Sequence, residues 1–192
     1  QKCMKTLKER IINLSKKHKL AHISSCLSVL SILQEVYAKK KHQDLVILDG
    51  AHSHLAHLIV RYEKDAVVES LLIKEGIHCD RKAGCDVTGG SLGHGIGIGV
   101  GLAKANPEID VYCIVTDGSI QEGSDWEALR IKKELKLNNL KIIANFNGHT
   151  AVADVNRIEL GRRLLAFCPD ADIRHTENGE GFEGIQGHYR VL

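Results

Sequence analysis

The sequence predicts an α/β protein, a doubly wound and mostly parallel sheet with helices on both faces. Three observations carry that prediction: apolar runs of strand length end in turn residues, amphipathic helical stretches follow them, and the two alternate along the chain. In the first fifty residues the pattern is helical. Met4, Leu7, Ile11 and Leu14 recur at helical spacing, and "SVLSILQEVYAKK" is a second apolar helical run. "DLVILDG" then reads as a short buried strand closed by a turn, with a helix over "HSHLAHLIVRYEKD" directly after it. "IDVYCIVTDG" is a second strand. "SDWEALRIKKELKL" is a helix with Ser124 or Asp125 at its cap, and "LKIIANFN" is a third strand. The glycine-rich tail after residue 175 predicts one more short turn and helix near the sheet edge.

Length and composition bound the class. A chain of 192 residues fits one domain, residues 1–192, and can bury a real core. A hydrophobic fraction of 43% with only two prolines excludes a disordered or fibrous chain. A net charge of +2 and an aromatic fraction of 4% argue against a nucleic-acid partner. No apolar run approaches the roughly 18–20 residues of a membrane span, and the amino-terminal stretch lacks a signal-peptide core, so no membrane partner and a cytoplasmic location are expected. The cysteines at 3, 26, 79, 85, 113 and 168 form no CxxC pair, which favours buried reduced thiols. A Cys79–Cys85 bridge or a zinc site is the alternative.

Ligands of such sheets bind where strands end and helices begin. Gly50 to His54, Asp117 to Glu122 and Asn147 to His149 all fall at such places. Asp117 and Asn147 offer hard oxygen ligands on two strand ends, a donor set suited to magnesium bridging a diphosphate. A helix starting near Ser119 would aim its amino end at the same anion. Taken singly, Asp117-Gly118 and Asn147-Gly148 are also ordinary turns. The run "TGGSLGHGIGIGVGLAKANP" holds too many glycines for an ordinary helix, since each costs about 1 kcal/mol against alanine. Gly95 with Gly99, and Gly97 with Gly101, give two faces free of side chains, suited to close packing on a helix or a partner subunit. The Gly89-to-Gly93 turn presents backbone groups to a ligand or serves packing.

Together, "TDG", "EGSDWEAL" and "NFNGH" resemble the thiamine-diphosphate motif of the transketolase family. Upstream, "AHISSCLSVLSILQEVY", "LVILDGAHSHLAHLI" and "GIHCDRKAGCDVTGGSLGHG" resemble the family's histidine and glycine segments in unbroken order, over roughly residues 10 to 165. The resemblance implies a thiamine diphosphate-binding fold, the diphosphate-binding half of a two-carbon transferase of carbohydrate metabolism and the pentose phosphate pathway. It implies that Asp117 and Asn147 ligate Mg through their side chains and His149 through its carbonyl. Gly118 and His52 would meet the diphosphate, and Gly90, Ser91 and Leu92 would hold the aminopyrimidine ring. His22 and His78 would reach the sugar hydroxyls and shuttle protons, a task suited to imidazole near neutral pH. Glu122 would join an acid network between paired sites at the subunit interface.

The sequence departs from the family pattern at four places. Thr116 replaces the first glycine of Gly-Asp-Gly, Ala51 precedes His52, Cys79-Asp80 stands for Pro-Glu, and His94 replaces a glutamine. The pyrimidine-binding and carboxyl-terminal domains, and the family's later histidine segment near the diphosphate, are expected to lie outside this sequence. His42, His54, His57, His175 and His188 carry no motif and are expected to be solvated or in the core. Lys132, Lys133 and Lys136 are expected to form a solvated helix face, and Trp126 and Ala128 to serve packing. The expectation is the amino-terminal subunit of a split transketolase, inactive alone, acting on sugar phosphates with a carboxyl-terminal partner in a homodimer or heterotetramer. The alternatives are a deoxyxylulose-phosphate synthase-like enzyme and a non-catalytic cofactor-binding or regulatory subunit; the intact "EGSDWEA" favours transketolase.

Overall fold

The computed structural model describes residues 6–76 and 78–192. Met4 and Cys3 lie outside them. Helix α1, Leu7–His18, begins at a capping box in which Thr6 accepts the Glu9 amide and Glu9 accepts the Thr6 amide. Helix α2, Ile23–Lys39, starts abruptly at His22, whose backbone is left-handed with φ 60°. Strand β1, Leu45–Leu48, leads through a single 3-10 turn at Ala51–Ser53 into helix α3, His54–Arg61. The sequence pattern runs on from there as one helix, but the chain turns at Tyr62 and starts a separate helix α4, Asp65–Glu75.

Helix α5, Gly95–Ala105, precedes strand β2, Val111–Thr116; helix α6, Gly123–Glu134, precedes strand β3, Leu140–Phe146. Helix α7, Arg157–Phe167, and strand β4, Asp172–His175, follow, and helix α8, Gly184–His188, closes the tail. The four strands form one sheet in the order β1-β2-β3-β4, parallel throughout, with Leu45 opposite Val111 and Val111 opposite Leu140. Strand β4 is an edge strand that the sequence pattern does not predict. Its residues Asp172 and Arg174 pair with each other and stay half-exposed, so no apolar run marks it.

Each face of the sheet carries its own core. Val46, Leu48, Tyr112 and Ile114 point toward α1 to α4, while Ile47, Val111, Cys113, Val115 and Phe146 point toward α5 to α7. The glycines of α5 serve this second core. A Cβ on Gly99 would lie 2.8 Å from Leu140 Cδ1 and one on Gly95 would lie 2.7 Å from Asp49 Cβ, so the helix lies directly on the sheet. That buried glycine face therefore packs on strands rather than on another helix. On the opposite face, a Cβ at Gly97 or Gly101 would meet nothing within 4 Å, and both positions are exposed.

Two further expectations are corrected. Ser124 and Asp125 do not cap α6; Glu122 occupies the cap without a side-chain bond, and Asp125 is fully buried inside the first turn. Lys132 is not solvated. It is 6% exposed and holds Asp170 at 2.8 Å, pinning α6 to the turn after α7, while Lys133 and Lys136 stay exposed. Trp126 packs on Phe167 at a ring separation of 5.0 Å. Among the described residues, no helix is long and apolar enough to cross a membrane.

Candidate active site

The carboxyl ends of β2 and β3 lie side by side, with Thr116 opposite Asn145. Each strand then turns away from the sheet and leaves backbone amides and side chains facing the same space. Asp117, buried at 1% exposure, bridges the two strand ends. The Asn147 amide donates to its Oδ2 at 2.8 Å and the Gly148 amide to its Oδ1 at 3.2 Å. Burial outweighs these bonds and pushes the Asp117 carboxyl up to about 6. A buried carboxylate in this position, with part of its lone-pair capacity taken by amides, is stabilised further by a cation.

The helix expected to begin near Ser119 begins four residues later. Ser119–Gln121 forms a 3-10 turn, closed by reciprocal bonds in which the Thr116 amide donates to Ser119 Oγ (2.9 Å) and the Ser119 amide to Thr116 Oγ1 (3.2 Å). Thr116 thus turns its hydroxyl back onto the turn and its methyl toward Gly50, where a Cβ would lie 2.6 Å from it.

A cleft of about 210 Å³ opens beside these strand ends. His22, His52, His78, Gly90, Leu92, Gly118, Asn147 and His149 all line it, as does Thr116. Eight positions picked from segments scattered between residues 22 and 149 therefore meet in one cleft. Three of the selected positions do not line it. Asp117 stands behind the wall on its amides, Ser91 is exposed outside, and Glu122 is exposed at the start of α6, close against Gly93. Asn147 Oδ1 accepts the His149 amide at 3.1 Å, and His149 Nδ1 meets Asp154 at 2.7 Å, which folds residues 148–155 into a rim.

The tail forms the expected short helix, but His188, expected to be solvated or in the core, lines the cleft instead. Its Nε2 lies 3.1 Å from His22 Nδ1, its carbonyl accepts the His22 amide at 3.2 Å, and its ring stands 5.6 Å from that of His52. The left-handed backbone of His22, a conformation that costs about 1–3 kcal/mol for a residue with a side chain, is held by this contact. Burial lowers the pKa of all three imidazoles, helped by their mutual repulsion: His52 to about 3, His188 to about 4, and His22 in the same direction, burial first and His78 second. All three are neutral near pH 7 and can each donate one N–H. Asn145, Ser25, Ser28, Thr150 and Tyr189 also line the cleft. Asn145 is held by Ser28 (3.1 Å) and Thr176 (2.6 Å), which fixes the wall between α2 and β3.

Opposite this wall, Asp49 at the end of β1 accepts the His94 and Gly95 amides at the start of α5. Asp125 faces Asp49, and burial together with that carboxyl pushes its pKa up, so it keeps its proton at neutral pH. The donor set suits a magnesium diphosphate: a carboxylate, a carboxamide and a carbonyl for the cation, neutral imidazoles and the Gly118 backbone for the anion. Gly90 adds open backbone, since a Cβ there would meet nothing within 4 Å.

The fold is an α/β domain with a cleft at the carboxyl edge of its parallel sheet. The family model for 1-deoxy-D-xylulose-5-phosphate synthase matches residues 1–161. "Transketolase-like protein 2" of Mus musculus is 32% identical over 171 residues, 77% of this chain and 26% of its own length. Transketolase of Homo sapiens is 28% identical over 160 residues, 71% of this chain and 24% of its own. An apulose-4-phosphate transketolase subunit of Phocaeicola vulgatus is 27% identical over 175 residues, 80% of this chain and 59% of its own. The chain therefore belongs to the thiamine diphosphate-dependent transketolase and deoxyxylulose-phosphate synthase family, in its amino-terminal, diphosphate-binding type of domain. It spans about a quarter of the length of the mammalian relatives and 59% of the Phocaeicola relative.

Proposed function

We propose that the chain is the amino-terminal, thiamine diphosphate- and Mg-binding subunit of a split transketolase, moving a two-carbon ketol unit between sugar phosphates with a carboxyl-terminal partner. The observation that carries the reading is the convergence of His22, His52, His78, Gly90, Gly118, Asn147 and His149 on one cleft beside Asp117. The Phocaeicola relative, itself named as one subunit of a transketolase, supports the split arrangement. In this reading Asp117, Asn147 and the His149 carbonyl hold Mg, and Gly118 and His52 hold the diphosphate. Gly90, Ser91 and Leu92 hold the pyrimidine end. The bound cofactor supplies carbanion stabilisation, and the protein supplies its position.

The imidazoles of His22, His78 and His188 then face the sugar and move protons at its hydroxyls. The lowered pKa of His22 and His188 means that these rings accept a proton weakly and release it readily, which suits a relay rather than a strong base. Glu122 and the exposed Gly97/Gly101 face of α5 are the parts available to a second subunit. Ketol transfer measured for the chain mixed with a carboxyl-terminal transketolase subunit tests the proposal: transfer with both and none with either alone supports it.

The family model's description favours a second reading, a deoxyxylulose-phosphate synthase-like enzyme. Glu122-Gly123 with Trp126-Glu127-Ala128 favours the transketolase reading. Formation of 1-deoxy-D-xylulose 5-phosphate by the reconstituted pair, without ketol transfer, would reverse that order.

A further inference from the structure

Outside the cleft, four side chains of types that can ligate a metal meet in the buried core. His54 and His57 stand on one face of α3, three residues apart, and Cys79 and Cys85 come from the loop that also carries His78 and Gly90. All four are buried, at 0%, 1%, 2% and 6% exposure, and their ligand atoms lie within 4.8 Å of one another. Both cysteines are free thiols. We propose that His54, His57, Cys79 and Cys85 form a closed, tetrahedral zinc site that fastens the 78–90 loop to α3.

The geometry and the chemistry agree. Metal bonds of about 2.3 Å to sulfur and 2.0–2.1 Å to nitrogen at a tetrahedral angle put the two ligand atoms about 3.5 Å apart. Cys85 Sγ stands 3.4 Å from His54 Nδ1 and 3.5 Å from His57 Nδ1. Both rings thus present the same nitrogen to one centre. The far nitrogen of His57 meets the Tyr37 hydroxyl, the outer contact that fixes a ligating imidazole. His54 Nε2 is buried without a partner, so the only engaged nitrogen of this ring is the Nδ1 that faces Cys85.

Two thiols lose their protons to solvent as Zn²⁺ binds, and two thiolates with two neutral imidazoles leave the buried site uncharged. No oxidant is needed. Four buried protein ligands fill the tetrahedron, which makes the site structural rather than catalytic. Its reach to function is through the backbone: Cys79 directly follows His78, and the Cys79 carbonyl accepts the Gly89 amide at 3.0 Å, one residue before Gly90.

The test is elemental analysis of the untagged, reduced chain, followed by Co²⁺ exchange. The expected result is about one zinc per chain surviving dialysis, and a Co²⁺ form with tetrahedral d–d bands and a thiolate charge-transfer band. Cys85→Ser and His57→Gln should each reduce retained zinc at least tenfold and abolish the thiolate–cobalt or tetrahedral signature. Because these variants can fail to fold, the wild-type chain decides. Absence of zinc after incubation of the reduced protein with Zn²⁺ overturns the proposal, as does a Cys79–Cys85 disulfide in the isolated chain with no bound metal. A Co²⁺ spectrum unchanged in folded Cys85→Ser overturns it too.

Discussion

Asp117→Asn separates holding a metal from holding the fold. In the wild-type chain the Asp117 carboxyl is raised from an ordinary 3.8 to about 6. At about 1.4 kcal/mol for each pH unit, that gap is on the order of 3 kcal/mol. The folded protein holds this proton more tightly than the unfolded chain. The stabilisation is therefore complete below about pH 4 and is lost as pH rises through 6. Asparagine has no such titration. It keeps one acceptor for the two amides and turns a donor toward the other, at a cost of about 1–3 kcal/mol. Near pH 7 the two effects nearly cancel, and the variant should lie within about 2 kcal/mol of wild type. Near pH 4 it should be the less stable by about 1–3 kcal/mol. Urea unfolding of both apoproteins from pH 4 to 7, as a difference, isolates Asp117 from the histidines. A difference that stays constant across the range would refute the burial argument. The same variant, still folded at pH 7, should lose Mg-dependent binding of thiamine diphosphate, and unchanged affinity would refute the metal-site assignment.

Three other outcomes follow from named contacts. Gly50→Ala should destabilise by about 1–3 kcal/mol because its Cβ meets the Thr116 methyl at 2.6 Å, and adding Thr116→Ser should recover most of that loss while keeping the bond to Ser119; thermal melts of the pair check it. His188 is neutral in the fold down to about pH 4 but protonates near 6.5 when unfolded, so its contribution is present above pH 6.5 and lost on acidification; ring NMR titration should show the low value, and His188→Gln should flatten the loss. Gly97→Ala should stabilise the isolated chain by up to about 1 kcal/mol, whereas Gly99→Ala should be about 1–3 kcal/mol worse than it because of Leu140; equal effects in denaturant titrations would refute the packing of α5 on the sheet.

These contacts also show where the sequence was legible. Strands β1 to β3 and their turns could be read because each is an apolar run stopped by a turn residue, and those stops place Asp117, Asn147 and His52 in or beside the cleft. Strand β4 could not, because an edge strand with an internal Asp172–Arg174 pair has no apolar signature. The sequence pattern allows a helix start near Ser119 or after a Ser124 or Asp125 cap; Ser119 instead engages Thr116 in a turn of its own, and α6 begins at Gly123 behind Glu122. His188 was missed for a different reason. It reaches the cleft from 166 positions beyond His22, a distance in sequence that no local pattern spans; the signal available was a Gly-His pair in a short helix after a glycine-rich turn. The proposed zinc cluster was half visible, as two cysteines with no CxxC spacing, since its other half is a pair of histidines on a separate helix, far from either cysteine in sequence.

The central claim is that the carboxyl ends of β2 and β3 hold a magnesium diphosphate. Isothermal titration with thiamine diphosphate, with MgCl₂ or with EDTA, measures it most directly, for the chain alone and for the chain mixed with a carboxyl-terminal transketolase partner. The expected result is saturable binding that requires Mg and disappears in Asp117→Asn. No binding in either setting, or binding indifferent to Mg and to that substitution, would contradict it.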